Sequence, residues 1–221
     1  MKKHQATSPY FPLLLDIRGK KCLVVGGGEV ALRKAQTLLQ HGAIVEIISP
    51  AFCPEFAELV ESGAVQVVNR DYKTEDLHDA LLVIAATDDA IVNKKVAAEA
   101  HKRGALVNVV DKPDMSDFIV PSYFSHGDIV IAVSTSGKSP ALARKIRSEL
   151  ETSLKAEYAQ LAIIASEVRS ELKQRGITVS GDDWQEALNL NSLIELIKRG
   201  KNKEAREIML ARLKTCGQGK L

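Results

Sequence analysis

Three consecutive glycines constrain this chain more than any other feature. Cys22 to Val25 is a short apolar run that stops at Gly26-Gly27-Gly28, and a helical pattern of Val30, Ala31, Lys34, Ala35, Leu38 and Leu39 follows directly. This spacing predicts a strand, a tight turn and a helix, closed at Gly42 before a second strand over Ile44 to Ile48. The punctuation then recurs. Ser62-Gly63-Ala64 precedes Val65 to Val68, Arg103-Gly104-Ala105 precedes Leu106 to Val110, and Leu81 to Ala86 supplies one more buried run. Short continuous apolar strands alternating with amphipathic helices predict a parallel sheet covered on both faces. Residues 1–113 therefore read as an α/β, Rossmann-like domain.

After Pro113 the alternation changes. Asp117 to Val120 and Asp128 to Ser134 read as strands separated by a short segment, which predicts antiparallel pairing, and a helix opens near Ser139-Pro140 with proline suited to its first turn. Residues 114–150 thus read as a small α+β segment. From Glu151 onward the pattern is helical, with apolar positions at Leu154, Tyr158, Leu161, Ala162, Ala165 and Val168 and breaks at Gly176 and Ser180-Gly181. Residues 151–221 read as a C-terminal helical domain.

Composition excludes several classes. The longest apolar runs fall far short of the roughly 20 residues of a membrane-spanning helix, and Met1 to Gln5 leads into no signal-peptide core, so a cytoplasmic protein with no membrane partner is expected. Cys22, Cys53 and Cys216 are odd in number and lack a Cys-x-x-Cys pair, so neither a disulfide framework nor a zinc site is encoded. The net charge of +2, from 30 basic and 28 acidic residues, gives no argument for a nucleic-acid partner. Locally the balance breaks: Lys138, Arg144, Lys145 and Arg147 share a stretch without an acid, which reads as an anion-facing patch or as a solvated helix face.

Gly26-x-Gly28-x-x-Ala31, placed between a strand and a helix, is the context in which this fingerprint binds a dinucleotide. The first glycine permits the turn, the second admits the pyrophosphate to the backbone, and Ala31 lets helix and strand pack closely. The far end is unusual. Where an NAD site carries an acid at the second strand tip, this chain reads Ser49-Pro50-Ala51, so Ser49 and the backbone at Pro50 and Ala51 are left to contact the ribose. The absence of Arg or Lys there favours NAD over NADP.

Open parallel sheets bind ligands outside the carboxyl ends of their strands. Thr87-Asp88-Asp89 follows the fourth strand, with Asn93 one turn further on, and Thr87, Asp88 and Asn93 are expected beside the cofactor. Asp88 and Asp89 are most simply caps of the helix that follows, through Ala100. Asp111 has no clear helix to cap, and a carboxylate at the ligand crevice can accept a proton. It also suits a turn before Lys112-Pro113.

Together, Gly26-Gly27-Gly28-Glu29-Val30-Ala31, Ala85-Ala86-Thr87-Asp88-Asp89 with Asn93, Asn108-Val109-Val110-Asp111, and Ser134-Thr135-Ser136-Gly137-Lys138-Ser139-Pro140 with Ala143-Arg144 resemble the precorrin-2 dehydrogenases of sirohaem synthesis. The resemblance runs from about Tyr10 to Leu150. It implies NAD-dependent oxidation of precorrin-2 to sirohydrochlorin, and in some members a second, lyase-class activity that inserts ferrous iron. It further implies a homodimer interlocked through a central segment of about Met115 to Leu150. By position it puts the family's essential aspartate at Asp111, the NAD-contacting turn at Glu29 and Val30, and the second-strand tip at Pro50 and Ala51. Thr135 stands where the fused enzymes have serine. Lys138, Ser139, Arg144 and Arg147 are then expected to meet the carboxylates of the tetrapyrrole.

No resident metal site is expected among His4, His41, His78, His101 and His126, with His126 the one histidine singled out, in a turn before Asp128. An NAD(H)-sensing binding module is the alternative from another class, but it needs neither Asp111 nor an anion patch. A short-chain-type dehydrogenase is excluded because none of Tyr10, Tyr72, Tyr123 and Tyr158 has Lys four positions on.

Overall fold

The computed structural model describes residues 10–218. Met1 to Gln5, with His4, lie outside the described residues, as does the side chain of Cys216. The chain divides into two compact units, the first ending at Val120 and the second beginning at Pro121.

In the first unit β1 (Lys21–Val25), α1 (Glu29–Gln40), β2 (Ile44–Ser49), α2 (Phe56–Glu61), β3 (Val65–Asn69), β4 (Leu82–Ala85), α3 (Ala90–Arg103) and β5 (Leu106–Val109) alternate. The five strands are parallel in the order β3-β2-β1-β4-β5. Alternate residues of β1 enter different cores. Cys22 and Val24 join Ala31, Ala35, Val45 and Ile84 on the α1 side, while Leu23 and Val25 join Val83, Val96, Ala97 and Val107 on the α3 side. Burial on both faces is why these strands read as unbroken apolar runs, each such side chain contributing about 1.5–3 kcal/mol. The three Gly-Ala punctuations are left-handed helix ends, with φ of +76° at Gly42, +67° at Gly63 and +71° at Gly104.

The strand order reverses between β1 and β4, which opens a crevice at their carboxyl ends. Val25 is in register with both Ile48 and Ala85, so three strands end side by side.

Past β5 the structure differs from the sequence reading. Asp117 to Val120 form no strand: the Asp117 N–H donates to Val107 O at 2.8 Å, its carboxylate accepts from Val107 N at 2.9 Å, and Phe118 O accepts from the Asn108 amide at 2.9 Å. These bonds tie Asp117 and Phe118 to β5, and the first unit runs past Pro113 to Val120.

In the second unit β6 (Ser122–His126) pairs antiparallel with β7 (Ile129–Val133) across a turn with Gly127 at φ +57°. The antiparallel pair expected from sequence is present, with its first strand displaced onto Ser122–His126. His126 is accordingly a strand residue and not part of the turn; it pairs with Ile129, its ring 5.5 Å from that of Phe124.

Helix α4 (Pro140–Ser153) starts with proline in its first turn and with Ser139 Oγ accepting from Leu142 N at 3.2 Å. Leu154 caps α4, so the helical tail proper begins at α5 (Glu157–Gln174) and continues through α6 (Gly181–Ala187), α7 (Leu190–Lys198) and α8 (Asn202–Gln218). Leu161, Ile164, Val168, Leu193, Ile197, Met209 and Leu213 form its core. Among the described residues no helix is long and apolar enough to cross a membrane, and no three His, Cys, Asp or Glu side chains are grouped to hold a metal ion.

Candidate active site

Main-chain bonds to both neighbouring strands hold the glycine turn. Gly26 N donates to Ile48 O at 2.9 Å, Cys53 N donates to Gly27 O at 2.7 Å, and Ala86 N donates to Val25 O at 2.8 Å. Gly26 has φ +129°, and a Cβ there would lie 2.3 Å from Ala86 O. At Gly27 a Cβ would lie 1.9 Å from Ala51 O and 2.8 Å from Ser49 Oγ. Gly28 differs: a Cβ there meets nothing within 4 Å. The fingerprint pattern passes over Gly27, although its neighbours approach more closely than at either flanking glycine; the run of three glycines was the available signal.

Gly28 is the N-cap of α1 and brings no side-chain cap, so the first N–H groups of the helix are left facing the open side of the turn. An N-terminus of this kind, with space above its glycine, fits a diphosphate. Ala31 is fully buried, as the packing role of that position requires.

At the tip of β2 the Ser49 hydroxyl donates to Ala51 O at 2.6 Å and is only 7% exposed, whereas Pro50 and Ala51 are exposed. Beyond β4, Thr87 and Asn93 are locked together: Asn93 Nδ2 donates to Thr87 O at 2.8 Å, and Thr87 Oγ1 lies 2.8 Å from Asn93 Oδ1. Asp89 caps α3, its carboxylate accepting from Ile91 N at 2.7 Å. Asp88 is exposed and does not serve as the cap.

Asp111 is exposed at the end of β5 with φ +57°, a left-handed conformation uncommon outside glycine. The surrounding bonds impose it. Val110 N donates to Ala85 O at 3.0 Å, Lys112 N donates to Val109 O at 3.1 Å, and Ser116 Oγ donates to Lys112 O at 2.8 Å. The short 3-10 helix at Pro113–Met115 is capped by Lys112 with no side-chain bond, so Asp111 caps nothing.

The carboxyl edge of one sheet thus carries Gly26 to Ala31, Ser49 to Ala51, Thr87 with Asn93, and Asp111. The basic run belongs to the second unit. Arg147 pairs with Glu151 on its own helix, and Lys145 lies 3.5 Å from Glu149, while Lys138 and Arg144 are exposed. Thr135 Oγ1 accepts from Ser139 N and donates to Ser139 O, each at 3.0 Å, which shapes the turn into α4.

Comparison with known proteins agrees with this geometry. A family model described as NAD(P)-binding matches residues 13–122, and one described as "Sirohaem biosynthesis protein central" matches residues 127–153. Among curated proteins, a siroheme synthase of Nitrosococcus oceani is 40% identical over 206 residues, which is 92% of this chain and 44% of the relative. A siroheme synthase of Chromobacterium violaceum is 40% identical over 210 residues, 94% of this chain and 44% of the relative. The chain spans under half the length of these relatives. Among solved structures, "SirC, precorrin-2 dehydrogenase" is 29% identical with a TM-score of 0.70, covering 93% of this chain and all of that one.

Proposed function

Because this chain belongs to the sirohaem-synthase N-terminal-like family, the group that includes precorrin-2 dehydrogenase, we propose that it oxidises precorrin-2 to sirohydrochlorin with NAD as acceptor. The observation that carries the reading is the pairing, on one sheet edge, of an open glycine turn with an exposed carboxylate held at φ +57°. Gly26, Gly28, Glu29, Val30 and Ala31 hold the diphosphate. Pro50 and Ala51 take the ribose, with the Ser49 hydroxyl bracing their turn, and Thr87, Asp88 and Asn93 flank the nicotinamide side.

When bound, NAD would supply the acceptor for the hydride lost from a ring carbon of the macrocycle. Asp111 takes the proton lost in the same oxidation, and the electron pair that this proton leaves behind becomes a new double bond of the macrocycle. Lys138, Ser139, Arg144 and Arg147 offer charge-assisted hydrogen bonds to substrate carboxylates. NAD is the acceptor over NADP because Ser49-Pro50-Ala51 presents no cation to a 2′-phosphate. We place the enzyme in the cytoplasm, with its biosynthetic family.

Anaerobic incubation of the protein with precorrin-2 and NAD is expected to yield NADH and sirohydrochlorin together. Absence of both refutes the reading and favours a sensor. Addition of ferrous or cobaltous ion after NADH formation ends distinguishes a dehydrogenase from a bifunctional enzyme, by whether metallation outpaces a protein-free control.

The homodimer is part of the proposal, built on the segment 114–150. On α4, Leu142, Ile146 and Leu150 recur every fourth residue and are 51%, 36% and 42% exposed, an apolar stripe that a second copy would cover. Ile146→Glu together with Leu150→Glu is expected to give a monomer by light scattering, with lost turnover. A monomeric wild-type protein would refute the dimer.

A further inference from the structure

Helix α1 carries a lysine in an unusual position. Lys34 lies between Ala31 and Ala35, both fully buried against the sheet. These small side chains bring the helix close to the strands and draw the Lys34 stem in with them, so Lys34 is half-buried while its neighbour Arg33 is exposed. Val110 packs against the same cluster as Ala31 and Ala35, and Asp111 follows it directly beyond the end of β5. Lys34 and Asp111 are within electrostatic reach of each other, yet among the described residues neither a hydrogen bond nor an ion pair engages the Lys34 ammonium.

That arrangement is costly unless something answers it. A half-buried ammonium has lost part of its hydration and keeps three donors unengaged. Burial, and then the charge of Arg33, lower the Lys34 pKa from the usual lysine value, and the Asp111 carboxylate pulls it back up. The cofactor diphosphate already has the N–H groups at the start of α1. The remaining anion at this edge, on the functional reading above, is the substrate.

We infer that Lys34 is a substrate-binding residue, its ammonium holding one carboxylate of the tetrapyrrole beside Asp111. The inference rests on the proposed function and adds to it a contact from the cofactor domain itself.

The test compares wild type with Lys34→Met, which keeps the apolar stem, and with Lys34→Arg, which keeps the charge. Lys34→Met is expected to raise KM for precorrin-2, and Kd for sirohydrochlorin by absorbance titration, about tenfold to a hundredfold, the loss expected for one charge-assisted hydrogen bond. It should leave kcat within about threefold of wild type. Affinity for NAD and the melting temperature are expected to stay unchanged, and Lys34→Arg should recover most of the loss. An unchanged KM and sirohydrochlorin Kd, or a fall in kcat alone, would overturn the inference. Weakened NAD binding in Lys34→Met would overturn it in favour of a diphosphate contact. If wild type forms no NADH, the functional reading fails, and the sirohydrochlorin titration still decides Lys34.

Discussion

Replacing Asp111 by alanine is expected to lower turnover of precorrin-2 by about a hundredfold or more, the usual scale for loss of a positioned acid–base group, with NAD still bound at wild-type affinity. The separation of the two effects follows from the topology. The dinucleotide turn hangs on β1, β2 and β4, whereas Asp111 sits at the end of β5 and makes none of the bonds that hold the glycines. Backbone strain complicates the reading of alanine, because φ +57° disfavours any residue with a Cβ other than the short polar ones. Asp111→Asn is therefore the sharper variant: asparagine tolerates the left-handed conformation and removes only the proton acceptor. Both variants should fail alike in a coupled NADH assay while titrating NAD normally by fluorescence. Turnover retained in Asp111→Asn would remove Asp111 as the base. Asp111→Gly supplies a further check, since it relieves the strain and should melt no lower than wild type while remaining inactive.

Where sequence reasoning succeeded, local chemistry and tertiary structure made the same demand. Runs such as Leu23 to Val25 are apolar throughout because both faces of the sheet are covered, and each Gly-Ala pair marks a helix end that needs a left-handed residue. The antiparallel pair was misplaced for a physical reason. Phe118-Ile119-Val120 is the more apolar stretch, but its backbone region is already bonded to β5 through Asp117 and Asn108. Ser122 to His126 hides its strand character behind polar residues at both ends. At the candidate site, the strand-end placement of Gly26, Gly28 and Asp111 was legible because the glycine run and Asp111 each follow directly on a short apolar run. Ser49 read as a ribose ligand, and the burial of its hydroxyl against Ala51 O depends on a turn that no local pattern spells out. The half-buried setting of Lys34 depends on how closely α1 lies on the sheet, which spacing along the helix does not report.

Gly27 and Gly28 are adjacent and chemically identical, yet their alanine variants are expected to fail in opposite ways. A methyl group at Gly27 would be 1.9 Å from Ala51 O, a backbone atom that cannot swing aside, and 2.8 Å from the buried Ser49 hydroxyl. The turn at the tip of β2 must move, breaking the bond from Cys53 N to Gly27 O. Overpacking of this kind costs about 1–3 kcal/mol or more. The melting temperature should then fall by roughly 2–4 °C for each kcal/mol, with NAD binding lost as a consequence of the deformed turn. At Gly28 the same methyl group meets nothing, and φ is −86°, a value open to any residue. Gly28→Ala should fold as well as wild type or slightly better, because alanine restricts the unfolded chain more than glycine does. Its Cβ would nonetheless occupy the space through which a diphosphate reaches the start of α1, and the NAD Kd is expected to rise at least about tenfold, a loss of about 1.4 kcal/mol. Thermal melts with and without NAD on the two variants separate these outcomes. A stable Gly28→Ala protein that binds NAD like wild type would mean that the diphosphate does not lie over this glycine, whereas a normal melt for Gly27→Ala would mean that the turn yields without cost.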